Sequence, residues 1–165
     1  MNIPFSPPDI TEEEIEAVAE VMRSGWITTG PKTKELERKM AEFTHTNRGV
    51  CLNSATSCME MALRLFEIGP GDEVIVPAYT YTASASVVCH VGATLRLVDV
   101  EKGTFHIDYA AVESMINENT KAIIPVDLGG VMVDYDRIRA IVESKKSLFR
   151  PSSKMQEALG HILIL

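Results

Sequence analysis

Positive charge is what this 165-residue sequence is short of: 16 Lys and Arg stand against 23 Asp and Glu, a formal net charge of −7. That balance excludes a general binder of nucleic acid or of acidic membranes, both of which need a cationic surface. It leaves small anionic ligands open, because backbone N–H groups at a helix N-terminus hold a phosphate without net positive charge. Cysteine is also scarce. Cys51, Cys58 and Cys89 are odd in number and lack C-x-x-C spacing, which predicts reduced core thiols rather than disulfides or a zinc site. His45, His90, His106 and His161 show no metal-ligand spacing. No apolar run approaches the ~18 residues that span a bilayer. The acidic, Pro-rich opening MNIPFSPPDITEEE is unlike a signal peptide, so a cytoplasmic protein is expected. Repeats, low-complexity tracts, a P-loop and a G-x-S-x-G elbow are all missing.

What is present is the material for an ordinary folded core, with 45% hydrophobic and 24% charged residues in a length suited to one compact domain. After an extended Pro-rich arm over residues 3–8, Thr11 and Glu14 form a capping-box pattern. Glu12, Glu13 and Glu14 load the first turn of a helix, where the macrodipole favours negative charge, and Ile15, Val18, Ala19 and Met22 line one stripe of it. The helix ends at Gly25. A loop, Gly25-Trp26-Ile27-Thr28-Thr29-Gly30, leads to Pro31, well suited to the first position of a second helix through Leu36, Met40 and Phe43.

From residue 49 strand and helix patterns alternate, which predicts a doubly wound, largely parallel sheet. Strands are expected over residues 49–52, 73–77, 94–100, 121–126 and 162–165. Between them fall a helix capped by Ser54 or Asn53 and closing at Gly69, one over residues 80–90, one from Asp108 to about Asn117, and one from Asp134 through Ile138 and Ile141 that ends in Lys145 and Lys146, then a short helix after Pro151.

Ligands in open parallel sheets bind beyond the carboxyl ends of the strands, and three segments there carry chemistry. Asn53-Ser54-Ala55-Thr56-Ser57 reads either as a phosphate cradle, with small residues and free first-turn amides, or as a plain serine N-cap. Pro77-Ala78-Tyr79-Thr80-Tyr81-Thr82 offers two tyrosines that stack on a flat ring or cover the rim of the core. In Val126-Asp127-Leu128-Gly129-Gly130 the aspartate orients a ligand or caps a turn. Gly69-Pro70-Gly71-Asp72 joins a helix to a strand, the reverse of the order in a dinucleotide fingerprint, so a dehydrogenase has no support.

In order along the chain, Ser24-Gly25-Trp26-Ile27-Thr28-Thr29-Gly30-Pro31-Lys32, Asn53-Ser54-Ala55-Thr56-Ser57, Ile68-Gly69-Pro70-Gly71-Asp72-Glu73-Val74-Ile75-Val76-Pro77, Thr80-Tyr81 and Thr120-Lys121-Ala122-Ile123-Ile124-Pro125-Val126 closely resemble the DegT/DnrJ/EryC1/StrS family of pyridoxal-phosphate sugar aminotransferases. The resemblance implies part of the large domain of a fold type I aminotransferase, a three-layer α/β/α structure with a mostly parallel sheet. Residues 1–48 are then an arm with two helices, residues 49–165 an incomplete cofactor-binding domain, and the smaller C-terminal domain is absent. Ala55 and Thr56 are implied to contact the cofactor phosphate, with Ser54 adjacent, Tyr81 to stack on the pyridine ring, and Asp127 to face the cofactor from a strand end. Thr29 and Gly30 are implied to help receive substrate. The resemblance further implies a homodimer that moves an amino group, with glutamate as donor, onto a keto sugar carried on a nucleotide, in amino-sugar or surface-polysaccharide biosynthesis. Family members continue past a strand like residues 162–165 into an Asp-Ala-Ala-His-type motif and then the lysine of the Schiff base; both lie beyond Leu165, so no catalytic residue is assigned here and the chain alone is expected to be inactive. Its alternatives are part of a family sugar dehydratase and a non-catalytic homologue that only binds ligand or partner.

Overall fold

The computed structural model describes residues 3, 4 and 6–165; Phe5, within the expected Pro-rich arm, lies outside the described residues. The chain divides into two compact units, Met1–Cys51 and Leu52–Leu165.

In the first unit α1 (Glu12–Arg23) starts on a complete capping box. Thr11 N–H donates to Glu14 Oε2 at 2.6 Å, and Glu13 N–H to Thr11 Oγ1 at 3.2 Å. The Thr11 hydroxyl also donates to the Glu14 carboxylate, and this bond foremost holds that carboxyl below its usual range. The expected stripe forms, yet Ile15, Val18 and Met22 are all exposed, and α1 buries no residue. The second helix, α2 (Pro31–Phe43), begins with Pro31 at its first position and buries Ala41 alone. Residues 49–52 do not form the expected strand. A strand requires a ladder partner, and here the Cys51 N–H donates instead to the Glu37 carboxylate, at 3.1 Å. Gly49 fits this arrangement closely, since a Cβ there would stand 2.7 Å from the Glu37 carbonyl oxygen.

The second unit is an α/β layer structure. Four strands, β1 (Glu73–Pro77), β2 (Thr94–Val98), β3 (Thr120–Ile123) and β4 (Leu163–Ile164), form one parallel sheet in the order β2-β1-β3-β4. Strand alternation sends successive side chains to opposite faces. Ile75, Val98, Ile123 and Ile162 pack on one face with α5 (Tyr109–Met115) and α6 (Tyr135–Ser144). Val74, Val76, Ala122 and Ile124 pack on the other with α3 (Ala55–Leu65) and α4 (Thr82–His90). Helices therefore cover both faces, giving the three layers expected.

The strands stop where their partners or donors run out. Expected to reach residue 100, β2 ends at Val98, opposite Pro77, the last residue of β1. Expected over residues 121–126, β3 starts a residue earlier and ends at Ile123; Ile124 N–H still reaches Ile75 O at 2.9 Å, but Pro125 has no N–H to continue. The thiols also differ from expectation. All three are free, but Cys51 is only partly buried, and Cys58 and Cys89 are exposed on outer positions of α3 and α4.

The amino end of the sheet is closed by polar contacts. Asp72, 4% exposed, accepts from Ser152 Oγ at 3.0 Å, Gln156 Nε2 at 3.1 Å and Gly69 N–H at 3.2 Å. This fastens α7 (Lys154–Leu159) below the strands, with Gln156 itself buried. Lys121, also buried, donates from Nζ to the Glu118 carbonyl, and burial lowers its pKa from the ordinary lysine value against the opposing pull of Asp72, Glu118 and Glu73.

Candidate functional site

Helix α3 begins at Ser54, in extended conformation, whose Oγ accepts the Ser57 N–H at 3.1 Å. That cap uses one donor of the first turn. The N–H groups of Ala55 and Thr56 have no carbonyl a turn earlier to bond, as at any helix start, and so are available to an anion. The serine thus caps the helix and at the same time leaves the anion-binding amides open; the two readings of this motif are compatible.

Two contacts fix where this helix start lies. Arg64 Nη2 donates to His90 O at 3.3 Å, and Glu60 pairs with His90 Nδ1 at 2.9 Å. The C-terminal halves of α3 and α4 are therefore side by side, and both helices run against the strands. Their N-termini meet the same, carboxyl end of the sheet. There the chain leaves β1, Ala78 N–H donates to Val98 O at 2.7 Å, and Tyr81 caps α4 in extended conformation. The two tyrosines separate in role. Tyr79 stacks on Phe105, with ring centroids 5.2 Å apart at 21°, whereas the Tyr81 ring is 81% exposed and free to take a ligand. Helix α4 starts at Thr82 rather than at residue 80 because Tyr81 holds this extended turn.

Asp127 lies past the end of β3, the strand beside β1, at the same carboxyl end. Its Oδ1 accepts Val133 N–H at 2.9 Å and its Oδ2 accepts the Tyr135 hydroxyl at 3.1 Å. Gly129 and Gly130, at φ 64° and 80°, supply the left-handed backbone that turns the loop between them. Burial foremost, and then this bond to Asp127, raises the Tyr135 pKa. The paired glycines signal a turn in the sequence, but nothing local shows that the turn brings the Tyr135 hydroxyl back to Asp127. Thr29 and Gly30 lie in the first unit, in the loop before α2. There the Trp26 indole N–H donates to Thr29 O at 3.0 Å, and a cavity of about 490 Å³ is lined by Trp26, Thr28, Gly30 and Lys32 among others.

A parallel α/β sheet with free helix amides, an exposed aromatic ring and a held carboxylate at its carboxyl end is suited to bind a phosphate-bearing ligand there. Residues 8–149 match the DegT/DnrJ/EryC1/StrS aminotransferase family, and the chain belongs to it. Among solved structures it is similar to Spr1654 of Streptococcus pneumoniae, assigned as a sugar aminotransferase and known in apo, PMP and PLP forms. Identity to the apo form is 59%, with a TM-score of 0.95 over 99% of this chain and 41% of that one. It is also similar to DesV of S. venezuelae, at 37% identity and a TM-score of 0.76 over 81% of this chain and 36% of that one. A GDP-4-keto-6-deoxymannose-3-dehydratase shares 25% identity and a TM-score of 0.78, covering 85% of this chain and 38% of that one. The chain thus spans about two-fifths of the length of these relatives. The fold is that of the fold type I aminotransferases, and the family's cofactor is pyridoxal phosphate. The donor set here fits that group: amides for its phosphate, an uncovered tyrosine for its ring, and a carboxylate beyond the neighbouring strand.

Proposed function

We propose that this chain supplies the cofactor-holding part of a pyridoxal-phosphate aminotransferase whose acceptor is a keto sugar carried on a nucleotide and whose donor is glutamate, working as a cytoplasmic homodimer. The observation that carries it is the coincidence, at one end of one sheet, of the open amides of Ala55 and Thr56 with the uncovered ring of Tyr81. The 59% identity to a protein assigned as a sugar aminotransferase, against 25% to the dehydratase, supports amino transfer over dehydration.

When bound, pyridoxal phosphate supplies an electron sink that stabilises negative charge at the carbon bearing the amino group. The work of this chain is binding and orientation. Ala55 and Thr56 N–H groups hold the phosphate, with Ser54 keeping the helix start in shape. Tyr81 would stack on the ring and shield it from water, and Asp127 would orient it from beyond the strand end. Thr29 and Gly30 receive the sugar. Lys121 takes no part, because it sits at the amino end of β3, the opposite end of the sheet.

Titration of the chain with pyridoxal phosphate, followed by visible absorbance, tests the reading. Tyr81→Ala is expected to weaken binding by roughly 2- to 12-fold, the ~0.5–1.5 kcal/mol of an aromatic pair. Its unfolding midpoint should stay at the wild-type value, since the ring is 81% exposed. Unchanged affinity in the variant would remove Tyr81 from the site, and no binding by the wild type would remove the cofactor reading for this chain.

A further inference from the structure

We propose that Tyr135 is a positioning residue for the cofactor site: its hydroxyl, 3.1 Å from Asp127 Oδ2, fixes the plane in which the Asp127 carboxylate meets the ring. This rests on the reading of Asp127 as a cofactor contact.

The argument starts from how freely an aspartate turns. The Cβ–Cγ torsion of a carboxylate is broad and roughly two-fold, so a single hydrogen bond leaves its plane soft. Asp127 is exposed, so solvent borders much of it and hydrogen bonds carry its orientation. One bond, from the Val133 N–H to Oδ1, ties the carboxylate across the loop. That donor is backbone and persists whatever side chain occupies position 133. The Tyr135 hydroxyl adds a second bond, to the other oxygen, and two bonds to two oxygens define a plane. A carboxylate offers about four lone-pair positions, so roughly two remain for a ligand.

The second anchor is rigid. Tyr135 opens α6, and Asp134 before it caps that helix, accepting Arg137 N–H at 2.9 Å. Asp134 N–H in turn donates at 2.7 Å to the hydroxyl of Tyr109, a residue only 2% exposed. Ile138, one turn into α6, is fully buried. The phenol is therefore tied to the core through the start of a packed helix, while Asp127 sits on a loop with two glycines. Orientation passes from the helix to the loop, the arrangement that holds a contacting group within the narrow range binding needs.

A double-variant cycle on the full chain tests this, with pyridoxal phosphate as the probe and affinity, induced circular dichroism of the bound cofactor and amide exchange of residues 128–133 as readouts. Tyr135→Phe keeps the ring and removes only the hydroxyl. It is expected to lower affinity by about 3- to 10-fold, the order of one ordinary hydrogen bond felt through the carboxylate it holds, and to alter the induced dichroism. Asp127→Asn is expected to lower affinity at least as much, and the double variant no more than Asp127→Asn alone, because Tyr135 acts only through that carboxylate. Faster exchange in the loop of Tyr135→Phe with unchanged affinity and dichroism would make the hydroxyl a loop clasp only and overturn the proposal. Unchanged binding in Asp127→Asn, with Tyr81→Ala still weakened, would also overturn it while leaving the cofactor reading intact. Absence of binding by the wild type would overturn both. Far-ultraviolet dichroism and urea midpoints of each variant separate these results from misfolding, and Asp127→Asn reports independently if Tyr135→Phe does not fold.

Discussion

Trp26 and Gly30 share one space. The indole atoms Cδ1 and Nε1 stand 2.2 and 2.3 Å from where a Cβ on Gly30 would lie, while Nε1 donates to Thr29 O at 3.0 Å. The glycine is required by this close approach and not by its backbone, which at φ −148° is open to any residue. The loop proposed to receive substrate is thus shaped by a tryptophan lying against a bare Cα.

Gly30→Ala should push the indole aside and break its bond to Thr29. Trp26 is the single tryptophan of the chain, so its fluorescence reports the change directly. A shift of the emission maximum is expected with little change in the unfolding midpoint, because the indole is 57% exposed and contributes little burial. An unmoved spectrum would show that the loop accommodates the methyl without displacing the ring.

Asp72→Ala should be costly. The carboxylate is the shared acceptor for Ser152, Gln156 and the Gly69 N–H, and Gln156 is 1% exposed. Removing it leaves a buried amide with one fewer partner, at about 1–3 kcal/mol per unsatisfied group. Urea denaturation should show a lower midpoint at unchanged slope. Ser152→Ala, which removes an exposed donor, should cost less; equal losses would contradict the assignment of Asp72 as the hub.

The pH dependence of Lys121 has a definite sign. Burial lowers its folded pKa below the model-peptide value of 10.5, so over the interval between the two the unfolded chain binds more protons than the folded one. Stability from this group therefore rises with pH across that interval and is smallest below the folded pKa. Relative to Lys121→Met, the wild type should gain stability as pH climbs toward about 10. A difference between the two proteins that is flat or falling with pH would reverse the assignment.

Much of the fold could be read from residues within four positions of one another. Thr11 with Glu14, Ser54 with Ser57, Asp108 with Ala111 and Asp134 with Arg137 are caps whose donor and acceptor are sequence neighbours, and each helix starts where its cap stands. The short apolar run in Glu73–Pro77 likewise placed a strand with its observed bounds. Residues 49–52 have the same apolar character but no ladder partner, and periodicity carries no information about partners.

The candidate site divides along the same line. The motif around Ser54 and the tyrosines after β1 were legible because strand-to-helix turns are local features. Which tyrosine stays free was not: Tyr79 is engaged by Phe105, 26 positions away. The hydroxyl that holds Asp127 comes from the far side of a glycine turn, and the carbonyl that receives the Lys121 ammonium is set by a strand start.

By itself the sequence determined the caps, the strand and helix order, the family and hence the cofactor, all of which rest on residue type and short spacing. Tertiary structure alone decided where strands end, which stripe and which thiols stay exposed, which ring is open and which carboxylates are held. Those outcomes depend on contacts between residues far apart in the chain, and each is settled by which of several chemically similar groups the packed sheet brings within bonding distance.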